Sequence, residues 1–105
     1  MAERITTADF EEKVLKAQIP VLVDFYSDSC VPCKMLSPVL SQLGTELGGK
    51  LDIYKVNVGY EQELVDKYEV MASPTLIFFK GGEEVSRLQG MTQKAVIIEE
   101  FEKLQ

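Results

Sequence analysis

Residues 21–40 read VLVDFYSDSCVPCKMLSPVL and combine a strand pattern, a cysteine pair and a helix pattern. The run from 21 to 26 is apolar on both faces apart from Asp24, which is typical of a strand at the centre of a sheet that is covered on both sides. The apolar residues that follow Cys33 recur with helical spacing. Cys30 and Cys33 therefore lie at one strand-to-helix junction. Amide N–H groups in the first turn of a helix lack internal partners and carry partial positive charge, so a thiolate there is stabilised and reactive.

Length and composition favour one domain, residues 1–105. The chain is 46% hydrophobic, which is enough for a core that needs neither structural crosslinks nor a metal. Its two cysteines are three positions apart and could close only a tiny loop, so their disulfide would add little to global stability. Chemistry is the better explanation for the pair.

Charge and residue usage exclude several classes of function. The formal net charge of −6, with scattered acids, disfavours nucleic acid or anionic lipid as a partner and is explained simply by a solvated surface. No apolar run approaches the roughly 20 residues that span a bilayer, and the charged N-terminus lacks the apolar region of a leader, so we expect a cytoplasmic protein with no membrane partner. The absence of histidine excludes a Cys-His protease mechanism and a mixed Cys/His zinc site.

Capping, turn and periodicity signals predict four helices and four strands of an α/β fold. Parallel crossovers followed by an antiparallel hairpin at Gly81-Gly82 imply a mixed sheet with helices on both faces. The predicted elements are a helix capped by Thr7 and ended by Pro20, strand 21–26, helix 31–47 with Pro38 inside it, strand 51–58, helix 61–68, strands 75–80 and 84–89, and helix 92–104.

Helical periodicity also predicts which side chains point into the core. The inward residues would be Phe10, Val14, Leu15 and Ala17 in the first helix; Met35, Leu36, Val39, Leu40, Leu43 and Leu47 in the second; Leu64, Val65 and Tyr68 in the third; and Val96, Ile97, Ile98, Phe101 and Leu104 in the last.

Several motifs together resemble the thioredoxin family, from about Ile5 to the C-terminus. They are Val23-Asp24-Phe25, Cys30-x-Pro-Cys33-Lys34-Met35, Pro38, Lys55-Val56-Asn57-Val58, Ser73-Pro74-Thr75, Phe79-Lys80-x-Gly82 and Gly90. The resemblance implies a central mixed five-stranded sheet flanked by four helices. It also implies a monomeric thiol-disulfide exchange protein without a cofactor, which reduces disulfide-containing proteins and is itself reduced by a thioredoxin reductase. Cys30 would be the exposed attacking thiol and Cys33 the sheltered resolving thiol.

Asp24 is a candidate proton acceptor. An ionised carboxylate inside an apolar strand is costly, so the pKa of Asp24 should be raised. The resemblance to the thioredoxin family implies that this carboxyl group lies behind the resolving cysteine and helps to deprotonate it through water, with Lys55 nearby. The alternative for Asp24 is a carboxylate satisfied by backbone donors. For Lys55, we expect a stem that packs on the sheet and an amine that lies in solvent.

Pro74 precedes a predicted strand, where a proline is tolerated because it does not donate to the ladder. A generic X-Pro bond is cis in only about 5% of cases. The resemblance nevertheless implies a cis bond beside the cysteines, with the backbone of Ser73 pairing with the substrate. Ser29, Thr75 and Gly90 would complete the substrate-binding surface.

The active-site sequence departs from the family's usual Trp-Cys-Gly-Pro-Cys. Here Ser29-Cys30-Val31-Pro32-Cys33 contains no tryptophan, and Tyr26 stands at the family's other tryptophan position. Pro32 suits the first helical turn, whereas Val31 puts a β-branched side chain between the cysteines and leaves the direction of any change in redox potential open. The departures keep open a thioredoxin-fold oxidase or isomerase, a non-catalytic binding module, and an inert or zinc-sharing cysteine pair.

Overall fold

Strand β2 (Val21–Tyr26) lies at the centre of a five-stranded sheet. The structure is a computed structural model that describes residues 2–105. The strand order is β1-β3-β2-β4-β5, with β1 (Glu3–Arg4) and β2 parallel to β3 (Asp52–Asn57). Strand β4 (Thr75–Lys80) runs antiparallel to both β2 and β5 (Glu83–Gln89). This is the predicted mixed sheet.

Four α-helices complete the fold. They are α1 (Thr7–Phe10), which continues as a π-helical segment (Glu11–Leu15), α2 (Val31–Glu46), α3 (Gln62–Lys67) and α4 (Lys94–Glu102). With the exception of α1, the predicted helices and strands match the observed ones to within two residues at each end.

The first helix begins one residue earlier than predicted, because Thr6 and not Thr7 is its N-cap. The Thr6 N–H donates to Asp9 Oδ2 at 3.2 Å, which satisfies a group that the helix itself leaves without a partner. The Thr7 hydroxyl and N–H instead donate to Glu61 Oε1, at 2.9 and 2.8 Å. Thr7 therefore ties the start of this helix to the residue that precedes α3.

Two apolar clusters cover the two faces of the sheet, because side chains alternate between the faces along each strand. Asp24 and Lys55 lie on the face that packs against α2 and α4, since they alternate with Val23 and Val56 of the opposite cluster. Its apolar side chains include Leu22, Leu36, Leu40, Leu43, Ile53, Leu76, Phe78, Ile97 and Phe101, and those of the other face include Phe10, Val14, Val21, Val23, Phe25, Val56, Leu64, Ile77 and Phe79.

Two predicted core residues are exposed. Met35 is 59% exposed and Val96 is 42% exposed, so their assignment to the inward faces of α2 and α4 was wrong. Each lies one residue, about 100° of helix rotation, from a fully buried neighbour, Leu36 or Ile97. The buried stripes are narrower than the apolar pattern in the sequence.

Candidate active site

The cysteine pair lies where β2 gives way to α2. Cys30 is the N-cap of α2 with an extended backbone, and Pro32 lies in the first turn, where no intrahelical N–H is lost. The Cys33 N–H donates to Cys30 Sγ at 3.1 Å, and the two residues form a disulfide with a Cα–Cα distance of 5.2 Å. Cys30 is half-buried and Cys33 is 4% exposed, so the two sulfurs differ in access.

The loop before β4 packs against this disulfide. The Ser73-Pro74 peptide bond is cis, as the resemblance implied, and the Ser73 carbonyl oxygen lies 3.5 Å from Cys30 Sγ. The carbonyl of buried Pro74 accepts a hydrogen bond from the Gly90 N–H at 2.8 Å, with Gly90 in a left-handed conformation (φ 78°). The loop around Pro74 therefore contacts Cys30 on one side and the Gly90 segment on the other.

The remaining predicted surface residues differ in what they offer a partner. Ser29 is exposed and Val31 is 63% exposed, so both border the disulfide from the solvent side. Thr75 is fully buried, and its hydroxyl donates to the Ala72 carbonyl at 2.6 Å. The Thr75 side chain thus shapes the Pro74 loop from inside.

Asp24 is completely buried in the middle of β2. Neither of its carboxyl oxygens has a hydrogen-bond partner among the described residues, which excludes the alternative of a carboxylate satisfied by backbone donors. Burial raises the pKa of Asp24 to about 7, although the positive charge of Lys55 opposes the rise. A carboxyl group with this pKa exchanges its proton near neutral pH, which suits a general acid–base.

Lys55 is the register partner of Asp24 on the adjacent parallel strand. Its ammonium donates to Ser37 Oγ at 3.4 Å and lies 4.6 Å from the centre of the Tyr26 ring. The amine therefore contacts two protein groups, Ser37 and Tyr26. Cys33 and these three residues share the wall of one cavity of about 250 Å³, which is lined by Tyr26, Ser27, Asp28, Cys33, Lys34, Ser37 and Lys55.

Sequence reasoning missed a hydrogen-bond chain beneath the loop that precedes Cys30. The side-chain amide of buried Asn57, at the end of β3, donates to Asp28 Oδ1 at 3.0 Å. Its amide oxygen accepts the Gly59 N–H at 2.8 Å. The Asn57-Val58-Gly59 sequence is an Asx-turn signal that could have identified the second bond, but not the partner 29 residues away.

Residues 2–105 contain no group of three or more histidine, cysteine or acidic side chains placed to hold a metal ion. No helix in this part of the chain is long and apolar enough to cross a membrane.

Comparison with known proteins assigns the family. The family model described as Thioredoxin matches residues 1–103. Thioredoxin from Rickettsia bellii (strain RML369-C) is 39% identical over 99 residues, 94% of each chain. Thioredoxin from Mycobacterium tuberculosis (strain ATCC 25618 / H37Rv) is 40% identical over 98 residues, 93% of this chain and 84% of the relative. Thioredoxin 1 from Nostoc sp. (strain PCC 7120 / SAG 25.82 / UTEX 2576) is 34% identical over 102 residues, 97% of this chain and 95% of the relative.

These similarities and the local geometry support one another. The family match covers nearly the whole chain, and the Cys-x-x-Cys pair of this chain is at disulfide distance. The chain is a thiol-disulfide oxidoreductase, and it belongs to the thioredoxin family.

Proposed function

We propose that the chain reduces disulfides of partner proteins, with Cys30 as the attacking thiol and Cys33 as the resolving thiol. The difference in access between the two sulfurs carries this assignment, because an incoming disulfide reaches a half-buried Cys30 more readily than a Cys33 that is 4% exposed. The Cys33 N–H, 3.1 Å from Cys30 Sγ, would also stabilise a thiolate on Cys30.

The exchange takes two steps. The Cys30 thiolate attacks one sulfur of the partner's disulfide, which forms a mixed disulfide and expels the partner's other sulfur as a thiolate. Cys33, as a thiolate, then attacks Cys30 Sγ, which releases the partner's second thiolate and forms the Cys30–Cys33 disulfide. The partner gains two electrons and two protons in total. A thioredoxin reductase would return two electrons to the Cys30–Cys33 disulfide.

Asp24 would accept the Cys33 proton in the second step. It has no competing hydrogen-bond partner among the described residues, and its pKa of about 7 lets it take up and release a proton near neutral pH. The cavity that Cys33 shares with Lys55 is large enough for several water molecules, each of which occupies about 30 Å³ in the liquid, and water there could relay the proton.

The partner's chain would bind around the cis bond. The Ser73 backbone is the nearest candidate to pair with it, since its carbonyl oxygen already lies 3.5 Å from Cys30 Sγ. Gly90 and Ser29 would border the bound segment, with Pro74 and Thr75 fixing the loop. Val31 and Pro32 would shape the surface between the cysteines.

We extend the proposal to a single domain, 1–105, that acts as a monomer in the cytoplasm. One sheet joins strands from both ends of the described chain, which supports one folding unit. Proteins in reducing compartments use cysteine pairs for catalysis more often than for structure. A catalytic role for Cys30 and Cys33 therefore supports a location in the cytoplasm.

The test is reduction of a protein disulfide with dithiothreitol as the electron source, which bypasses any mismatch with a reductase. We expect turnover in the wild type, its loss in Cys30→Ser, and accumulation of a mixed disulfide in Cys33→Ser. Equal turnover in wild type and Cys30→Ser would contradict the proposal. If turnover is absent while both cysteine variants still capture the same partner, the chain is a binding module. If a modest excess of glutathione suffices to reduce the Cys30–Cys33 disulfide, it is tuned towards oxidation or isomerisation.

A further inference from the structure

The ammonium group of Lys55 is held from two directions at the wall of the active-site cavity. The Tyr26 ring comes from the end of β2, and its centre lies 4.6 Å from Lys55 Nζ. The Ser37 hydroxyl comes from α2, one turn after Cys33, and accepts from Nζ at 3.4 Å. A lysine side chain is flexible and strongly hydrated, so two such contacts restrict where its charge can be.

We propose that Tyr26 and Ser37 are positioning residues that keep the Lys55 ammonium close to the Asp24 carboxyl, and so favour the ionised form that Asp24 needs to accept a proton from Cys33. This inference rests on the proposed role of Asp24. Under this proposal, Tyr26 and Ser37 contact neither the sulfurs nor the substrate, and they act only through Lys55.

The strand register explains why the position of the ammonium matters. Asp24 and Lys55 are paired across β2 and β3, so their side chains leave the same face of the sheet side by side. The attraction between two charges falls as their separation grows, and it is stronger in the interior than in water. If the Lys55 amine moved out into solvent, the Asp24 carboxylate would lose most of this attraction.

The other groups around Asp24 do not replace Lys55. Cys33 of α2 is neutral as a disulfide, and the register partner of Asp24 on β4 is the apolar Leu76. Asp28 and Lys34 also line the cavity, but both are exposed and carry opposite charges. Lys55 is the charge that lowers the pKa of Asp24 against the effect of burial.

The test is an NMR titration of the Asp24 side-chain carboxyl carbon in the oxidised protein, because the disulfide keeps both cysteines from titrating. We expect Ser37→Ala and Tyr26→Leu each to lower the acid dissociation constant of Asp24 about threefold, and Lys55→Met to lower it further. Two matched controls should keep the wild-type titration. Tyr26→Phe retains the ring face, and Ser41→Ala removes a hydroxyl one turn further along α2.

A double-mutant cycle separates positioning from a general structural effect. In a Lys55→Met background, Ser37→Ala should have no further effect on the Asp24 titration. Unchanged titration in Ser37→Ala, or the same change with and without Lys55, would overturn the inference. Should Tyr26→Leu fail to fold, the Ser37 cycle decides the question alone.

The rate of mixed-disulfide resolution as a function of pH distinguishes failure of this inference from failure of the proposed function. If the Asp24 titration moves as expected while the pH profile of resolution stays in place, the positioning role stands and the role of Asp24 as proton acceptor is wrong. If Asp24→Asn slows resolution but Ser37→Ala leaves the titration unchanged, the proton acceptor stands and the positioning inference is wrong.

Discussion

Glu69 adopts a backbone conformation that usually belongs to glycine. Its φ of 50° is left-handed, and it directly follows Tyr68, the C-cap of α3. The Val70 N–H donates to the Val65 carbonyl at 2.9 Å, which closes the end of the helix around Glu69. A residue with a Cβ in this conformation costs about 1–2 kcal/mol, which glycine avoids.

We therefore expect Glu69→Gly to be more stable than Glu69→Ala by about 0.5–1 kcal/mol, after allowing for the greater entropy of unfolded glycine. The alanine variant is the matched control, since it also loses the carboxylate but keeps the Cβ. Urea unfolding of both variants measures the difference. Equal unfolding free energies would contradict this expectation, because they would show that the strain at this position is no larger than the entropic cost of glycine.

Residues differ in how far their roles can be predicted from sequence. The burial and the raised pKa of Asp24 could be predicted, because a lone carboxyl group in an apolar strand must lose most of its hydration. The contacts of Lys55 with Ser37 and Tyr26 could not, because they join residues 18 and 29 positions apart and depend on how α2 lies across the sheet. The same holds for the bond between Asn57 and Asp28.

Elements were predicted well where a pattern is long and poorly where it is short. Strand β4 matches its prediction residue for residue, because its apolar run is bounded by a proline and two glycines. Strand β1 has only two residues, both exposed, and offers no alternation to detect. Met35 and Val96 show the remaining limit, since periodicity marks an apolar face without fixing its edges.

The β4–β5 hairpin provides a test at the scale of one element. Gly81 and Gly82 both have positive φ, of 62° and 83°. A Cβ at Gly81 would meet open space, whereas one at Gly82 would lie 3.0 Å from the backbone oxygen of Leu15. The turn therefore packs against the end of the π-helical segment at Gly82.

We expect Gly81→Ala to lower the unfolding free energy by about 1 kcal/mol, the cost of a left-handed alanine, and Gly82→Ala by about 2–3 kcal/mol, because a backbone contact must also shift. Thermal or urea unfolding of the two variants, each in the oxidised form, makes the comparison. An equal loss in both would mean that the hairpin moves away from Leu15 without cost.

At the scale of the whole molecule, the order of strands in the sheet favours the proposed chemistry but lowers the stability of the fold. The central position of β2 carries the chain directly to Cys30, but it also buries Asp24 between α2 and the sheet. Ionising Asp24 in the folded state is unfavourable, so the residue proposed to accept a proton destabilises the fold that holds it.

The pH dependence of the unfolding free energy measures how much the buried Asp24 carboxyl group destabilises the fold when it ionises. The pKa of Asp24 is about 7 in the folded protein, against 3.8 for an aspartate side chain in water. Between these values the folded state holds a proton on Asp24 that the unfolded state has lost, so the contribution of Asp24 to the unfolding free energy should fall as pH rises from about 4 to 7 and then level off. At about 1.4 kcal/mol per pKa unit, the total loss is on the order of 4 kcal/mol.

Asp24→Asn removes the titrating group while keeping the shape of the side chain. Relative to wild type, its unfolding free energy should therefore rise steadily between pH 4 and 7, by a few kcal/mol, and hold that advantage at higher pH. Asp66→Asn, at an exposed position of α3, is the control, because the same substitution there removes a carboxyl group from the surface and not from the interior. Urea unfolding of the three oxidised proteins across this range is the measurement. A difference between Asp24→Asn and wild type that stays constant with pH would show that Asp24 ionises in the folded protein as readily as in the unfolded chain, and burial would then have no energetic consequence at the centre of the sheet.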